Sequence, residues 1–168
     1  LNLSKGDHVL EIGCGWGGFA EVAARDFGCR VTALTVSQQQ AEFARARMAR
    51  LGLTSQVEIR LQDYRDITEG FDAVASIEMF EAVGAENWRT YFGTLQRALR
   101  PGGRAAIQTI TIADKNFDLY RRSADFIQKY IFPGGVLPSP TAFRSAAAAE
   151  NLSVTDEYFF GAGSAETV

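Results

Sequence analysis

Two rhythms alternate along this chain. Short runs dense in strand formers occupy residues 8–12, 30–35, 71–77 and 105–112, and 57–61 alternates apolar positions with Glu58 and Arg60, as a half-wetted edge strand does. Between them lie stretches with helical spacing: 19–27 (Phe19, Val22, Ala23, Phe27), 38–51 (Ala41, Phe43, Ala44, Met48, Leu51) and 87–99 (Trp88, Tyr91, Phe92, Leu95, Leu99). Gly28, Gly52 and Arg100-Pro101-Gly102-Gly103 stand where those helices should stop, and Ser37 stands where the second should be capped. Residues 71–77 are nearly all apolar, which predicts a central strand buried on both faces. Beyond 112 the pattern predicts a helix over 117–131, a breaker at 132–135, an alanine-rich helix over 141–151 and a sixth strand over 152–160.

Strands and helices in this order specify an α/β domain, a doubly wound, mostly parallel sheet in which a ligand belongs at the carboxyl ends of the strands. Glu11, Thr35, Asp63, Glu81 and Gln108 fall at such ends. Residues 114–140 form a longer excursion than a crossover needs and read as a substrate-covering insertion within one domain spanning 1–168.

Composition changes this picture little. The chain has 168 residues, 46% hydrophobic and 22% charged, which is ordinary for one globular domain. A net charge of −3, with no run of like charge, gives no electrostatic reason to expect nucleic acid as a partner. Cys14 and Cys29 have neither the C-x-x-C spacing nor the neighbouring histidines of a metal site, and they suit a reducing, cytoplasmic setting. No apolar run is long enough to span a membrane.

The candidate chemistry begins at Val9 to Gly18, V-L-E-I-G-C-G-W-G-G, a strand running into a glycine loop and then a helix start. Gly13, Gly15 and Gly18 match the generic G-x-G-x-x-G spacing, so neighbouring charge must select the ligand. Glu11, just before the loop, would repel a pyrophosphate but suits a ligand carrying an amine and a sulfonium. A nicotinamide site would also place an acid about 20 residues further on, where this chain has Thr35-Val36-Ser37-Gln38-Gln39-Gln40. The loop therefore points to S-adenosylmethionine. Cys14 has no histidine near it to generate a thiolate, and its backbone is the useful part. His8, the sole histidine, reads as a surface residue remote from the ligand end, and Glu78 as a plain residue one turn before Glu81.

The segments L-E-I-G-C-G-W-G-G, L-T-V-S-Q-Q-Q, L-Q-D-Y-R-D, M-F-E-A-V-G, L-R-P-G-G-R and K-Y-I-F-P-G-G together resemble the cyclopropane-fatty-acyl-phospholipid synthases and mycolic acid methyltransferases of bacteria, over nearly the whole chain. That resemblance implies a class I, Rossmann-like methyltransferase fold. It also implies transfer of the S-adenosylmethionine methyl to the cis double bond of an unsaturated phospholipid acyl chain, by an enzyme peripheral to the inner face of the membrane. A proton is then lost to give a cyclopropane, and relatives leave a methyl branch.

The resemblance further implies site residues. Gly13 and Gly15 approach the methionine part of the cofactor, Thr35, Val36 and Gln40 surround the ribose, and Gln62, Asp63 and Tyr64 line the adenine. In the family a bicarbonate, oriented by backbone near the loop cysteine and by a glutamate, a histidine and a tyrosine, is the proposed base. Cys14 and Glu81 match the first two of these. Ala82 replaces the histidine that follows the glutamate, Gln108 a strand-five histidine and Ser164 the tyrosine, which is too long a group for serine to replace. Other readings remain, namely a methyltransferase for a soluble small molecule or an S-adenosylmethionine-binding relative without turnover. The family closes its sheet with a seventh, antiparallel strand between the fifth and sixth, which this stretch lacks, so it reads as a fragment. Its unfilled edge invites pairing with a second copy, hence a homodimer.

Overall fold

The computed structural model describes residues 1–122 and 135–160. In chain order these form β1 (His8–Ile12), α1 (Gly18–Phe27), β2 (Arg30–Thr35), α2 (Gln38–Arg50), β3 (Val57–Leu61), β4 (Phe71–Ile77), α3 (Trp88–Ala98), β5 (Leu99–Gln108), α4 (Asp114–Arg122) and α5 (Pro140–Ala149). Single 3₁₀ turns at Tyr64–Asp66, Phe80–Ala82 and Ala85–Asn87 lie between them. The strands make one sheet in the order β3-β2-β1-β4-β5, and every pairing is parallel. The order reverses at β1, which puts the crevice for a ligand beyond the carboxyl ends of β1 and β4.

Two apolar layers sandwich the sheet. Val9, Val31, Ala33 and Ala73 face α1 and α2, while Leu10, Ile12, Leu34 and Val74 face α3 and α5. Alternation along β1 thus sends Glu11 to the α1 side with Val9. The large apolar residues of α1 are not its buried face: Ala20, Ala23 and Ala24 are, and Val22 and Phe27 are 41% and 49% exposed. Alanines let that helix sit close on the sheet, and half-buried Phe19 packs against the same core cluster. In α2 likewise Ala41, Ala44 and Met48 are buried, whereas Phe43 and Leu51 lie outside.

The stop signals act as expected. Gly28 closes α1 in left-handed geometry at φ 68°, and Ser37 caps α2 by accepting the Gln40 amide. Ser139 caps α5, which starts with Pro140. The Arg100-Pro101-Gly102-Gly103 breaker ends α3 but also belongs to β5, which begins at Leu99 rather than 105 and ends at Gln108 rather than 112. The register with β4 jumps between Phe71 and Ala73, and a Cβ on Gly103 would lie 2.9 Å from the Asp72 carbonyl oxygen. Only glycine lets the chain re-enter the sheet there.

Two expectations need correction. Residues 152–160 form no strand and are largely exposed, because a sixth strand pairs with the intervening seventh and no such neighbour exists among the described residues. His8 is half-buried rather than on the surface: its Nε2 lies 2.9 Å from Thr32 Oγ1 and its ring 4.6 Å from that of Phe71. Burial, then the Arg30 charge, lowers its pKa. It does sit at the amino end of the sheet, away from the ligand crevice. The helix predicted over 117–131 begins earlier, at Asp114, and its part beyond 122 lies outside the described residues.

Phe80 anchors the α3 layer and, with it, the turn that carries Glu81. It is fully buried, with rings of Trp88, Tyr91, Phe92 and Phe143 at 5.0–5.5 Å. Phe80→Ala is expected to lower the free energy of urea unfolding by about 3–5 kcal/mol. The exposed Phe27→Ala should change it by less than about 0.5 kcal/mol.

Candidate active site

The loop after β1 is built from left-handed backbone. Gly13, Gly15 and Gly17 have φ of 80°, 50° and 80°, and the amides of Gly13 and Cys14 both donate to the Leu34 carbonyl at 3.1 and 2.7 Å, fastening the loop to the end of β2. A Cβ on Gly17 would press on Ala44 and Met48 at 3.3 Å, and one on Gly13 on Met79 at 3.0 Å. Gly15 alone of the three faces open space. Room for a ligand to approach the main chain is left there.

Glu11 lies beneath this loop, 3% exposed. Its carboxyl takes the Ala20 amide, Oε2 has no partner, and burial pushes its pKa up to about 8. An orphaned carboxyl oxygen beside an open glycine cradle fits a ligand that brings a cationic amine. Burial, helped by the Glu11 charge, raises the Cys14 thiol to about 12, so it is no nucleophile.

On the β2 side, buried Thr35 donates through Oγ1 to Gln40 Oε1 at 2.7 Å and accepts the Ser37 amide at 3.1 Å. That leaves the Gln40 NH₂ to act as a donor. Val36, 77% exposed, offers an apolar surface. The Gln62 amide donates to the Thr35 carbonyl, tying this group to the next. Asp63 caps its own turn by accepting the Arg65 amide and pairs with the Arg65 guanidinium at 2.7 Å, whose hydrogen bonding lowers its pKa. The pair is largely exposed and contributes little to stability, so an incoming polar ligand edge can compete for it. Tyr64 leans its ring on Tyr91 at 5.6 Å.

Glu81 is 1% exposed on the Phe80–Ala82 turn. Its Oε1 accepts the Ile110 amide at 2.5 Å, and Oε2 has no partner. Ser76 Oγ and Tyr91 OH are also buried without a hydrogen bond of good geometry. Burial holds the Tyr91 phenol well above its usual range, partly countered by the nearby Ser76 hydroxyl. The buried Tyr91 phenol thus lies near both the Ser76 hydroxyl and the Glu81 carboxyl, behind the end of β4.

Gln108, at the end of β5, donates through Nε2 to Glu78 Oε1 at 3.0 Å. Ala82 is exposed and carries no polar group, and Ser164 lies outside the described residues. Among the described residues bicarbonate finds no free cradle. Gln108 already donates to the anionic Glu78 side chain, the Cys14 backbone amide donates to the Leu34 carbonyl, and the Glu78 carboxylate beside Gln108 would repel a further anion. Glu78 is the site residue that sequence reasoning passed over. The one available signal was an acid at the exit of the central strand.

A family model described as mycolic acid cyclopropane synthetase matches residues 1–168. The chain belongs to that family. It is 47% identical over 141 residues to the tuberculostearic acid methyltransferase UfaA1 of Mycobacterium tuberculosis, covering 83% of this chain and 33% of the relative. The cyclopropane-fatty-acyl-phospholipid synthase of Escherichia coli K12 is 43% identical over 139 residues, covering 83% and 34%. Among solved structures, the mycolic acid cyclopropane synthase CmaA1 complexed with SAH and CTAB superposes with a TM-score of 0.79 at 27% identity, over 93% of this chain and 58% of that one. The chain therefore spans about a third of the length of these curated relatives. Likeness at that level makes the parallel sheet a class I methyltransferase fold.

The raised Glu11 pKa has a definite sign. A carboxyl titrating at about 8 in the fold, against 4.5 for a free glutamate side chain, stays protonated in the folded chain while it ionises in the unfolded one. Its stability contribution is complete below pH 4.5 and lost as pH rises through about 8. Without added cofactor, the urea midpoint of the wild type should fall relative to that of Glu11→Gln between about pH 4.5 and 8 and level off above that range. Parallel curves would remove the assignment.

Proposed function

We propose that the protein transfers the methyl group of S-adenosylmethionine to the double bond of an unsaturated fatty-acyl chain of a phospholipid, leaving a cyclopropane or a methyl branch. The observation that carries the cofactor is the open cradle at Gly15 beside the buried, unpartnered Glu11 oxygen. The acceptor is supported by the names of two relatives, a tuberculostearic acid methyltransferase and a cyclopropane-fatty-acyl-phospholipid synthase.

The bound cofactor supplies an electrophilic methyl on a sulfonium. The chain's own part is to hold and surround it. Glu11 gives up its proton and pairs with the amine, Gly13 and Gly15 present backbone, Thr35 and Gln40 meet the ribose, and Gln62, Asp63 and Tyr64 flank the adenine. An alkene is a weak nucleophile, so alignment and exclusion of water must supply much of the rate. Residues 114–140 serve as the cover: α4 docks on the α3 layer through Phe117, stacked 6.2 Å from Trp88, and through Asp114, which accepts from the Thr141 amide and hydroxyl. The buried Glu81 carboxylate places negative charge where a carbocation develops. No helix of the described residues is long and apolar enough to cross a membrane. The protein meets its lipid from the cytoplasmic surface, and the outer edge of β5, unpaired among the described residues, is the place where a second copy could pair.

Mass spectrometry of membrane lipids from cells expressing the full-length protein should show a gain of one CH₂ on monounsaturated acyl chains. Gly15→Val should abolish both this product and the calorimetric binding of S-adenosylhomocysteine, since its side chain would fill the cradle at a φ of 50°. Methylation of a soluble small molecule with untouched lipids would move the acceptor to that class.

A further inference from the structure

Glu78 has a backbone that a side chain ordinarily avoids. Its φ is 52°, in the left-handed region, where a residue with a Cβ is strained. Strain of this kind persists where neighbours over-determine it, and here they do. The Glu78 amide donates to the Gln108 carbonyl at 2.9 Å, and the Gln108 side chain donates back to Glu78 Oε1 at 3.0 Å. The next residue, Met79, packs on Gly13 of the cofactor loop. Ile77 and Ile110, 38% and 53% exposed, offer apolar surface beside the pair. A carboxylate hydrogen-bonded to Gln108 is therefore held at the carboxyl ends of β4 and β5, on the residue before the Met79 that packs on the glycine loop.

Within the function proposed above, the reaction requires a base. The alkene π electrons form the new bond to the methyl carbon, the carbon–sulfur pair leaves with S-adenosylhomocysteine, and the other alkene carbon becomes a cation. Loss of one proton from the transferred methyl lets its C–H pair close the ring, while loss from a neighbouring carbon gives an alkene. The described residues give bicarbonate no cradle in which to accept that proton.

We propose that Glu78 is the catalytic base, a protein carboxylate standing where the family is thought to use bicarbonate. Gln108 orients it. Glu81 is less suited to the task, because it is 1% exposed with one oxygen held by the Ile110 amide, whereas exposed Glu78 can pass the proton on to water. Glu81 supplies fixed negative charge, and Glu78 takes the proton and becomes a carboxylic acid.

The test uses the full-length protein on vesicles of monounsaturated phospholipid. Glu78→Gln should lower kcat by about 10²–10⁴-fold and leave S-adenosylhomocysteine affinity unchanged. Glu78→Gly relieves the positive φ and so should fold at least as well. Its rate should be similarly low and should recover in part with added formate, while the wild-type rate should ignore removal of bicarbonate. Wild-type turnover by Glu78→Gln, or a bicarbonate requirement shared by wild type and Glu78→Gln, would overturn the assignment alone. A wild type that methylates no lipid would overturn the functional reading and this inference with it.

Discussion

The main-chain clamp between the glycine loop and β2 is the constraint on which the site depends. Two successive amides, from Gly13 and Cys14, share the Leu34 carbonyl, which is possible because the chain turns through left-handed backbone at once after β1. That turn brings α1 down so that its alanine face lies on the sheet and closes over Glu11. Burial of the carboxyl, the direction in which α1 starts and the open space at Gly15 are thus consequences of one backbone geometry. A side chain at these glycines would meet either a neighbour or a forbidden φ.

Beyond the loop, the crevice is lined by groups whose present partners are few or weak. Glu11 and Glu81 each keep one buried oxygen unpaired, an arrangement that costs stability in a core otherwise closely packed. Asp63 is engaged, but in an exposed pair that is cheap to exchange. Such a crevice is rich in carboxyls, and the Arg65 guanidinium beside it is already paired with Asp63. It is complementary to a sulfonium, an amine and a developing carbocation, and hostile to a phosphate or a free anion.

The same electrostatics gives meaning to the departures from the family pattern. Ala82 and Gln108, seen as isolated substitutions, only remove imidazoles. In three dimensions Gln108 has a partner, Glu78, and the pair occupies the ends of adjacent strands with matched backbone and side-chain hydrogen bonds. The change from imidazole to amide leaves a neutral donor suited to holding a carboxylate. The site has then kept its negative charge while moving it onto the protein.

Much of the fold was legible in the chain. β1 to β4 run where the strand formers lie, the edge position of β3 follows from Glu58 and Arg60, and Gly28, Ser37 and the 100–103 breaker act where they stand. The glycine loop and Glu11 together carried the ligand class, because backbone freedom and the sign of a charge are local properties. What the sequence could not decide is whatever depends on the distance between elements. It grouped Val22 and Phe27 with the apolar face of α1, but both lie exposed and Ala20, Ala23 and Ala24 make the close contact with the sheet. It put His8 in solvent, but Thr32 and Phe71 of neighbouring strands enclose it. It set Glu78 aside as plain, since neither a left-handed φ nor a glutamine thirty residues away is visible in periodicity. Local sequence sets which backbone a segment prefers; only the assembled sheet decides which side chains from distant segments share one small volume, and the candidate chemistry lies there.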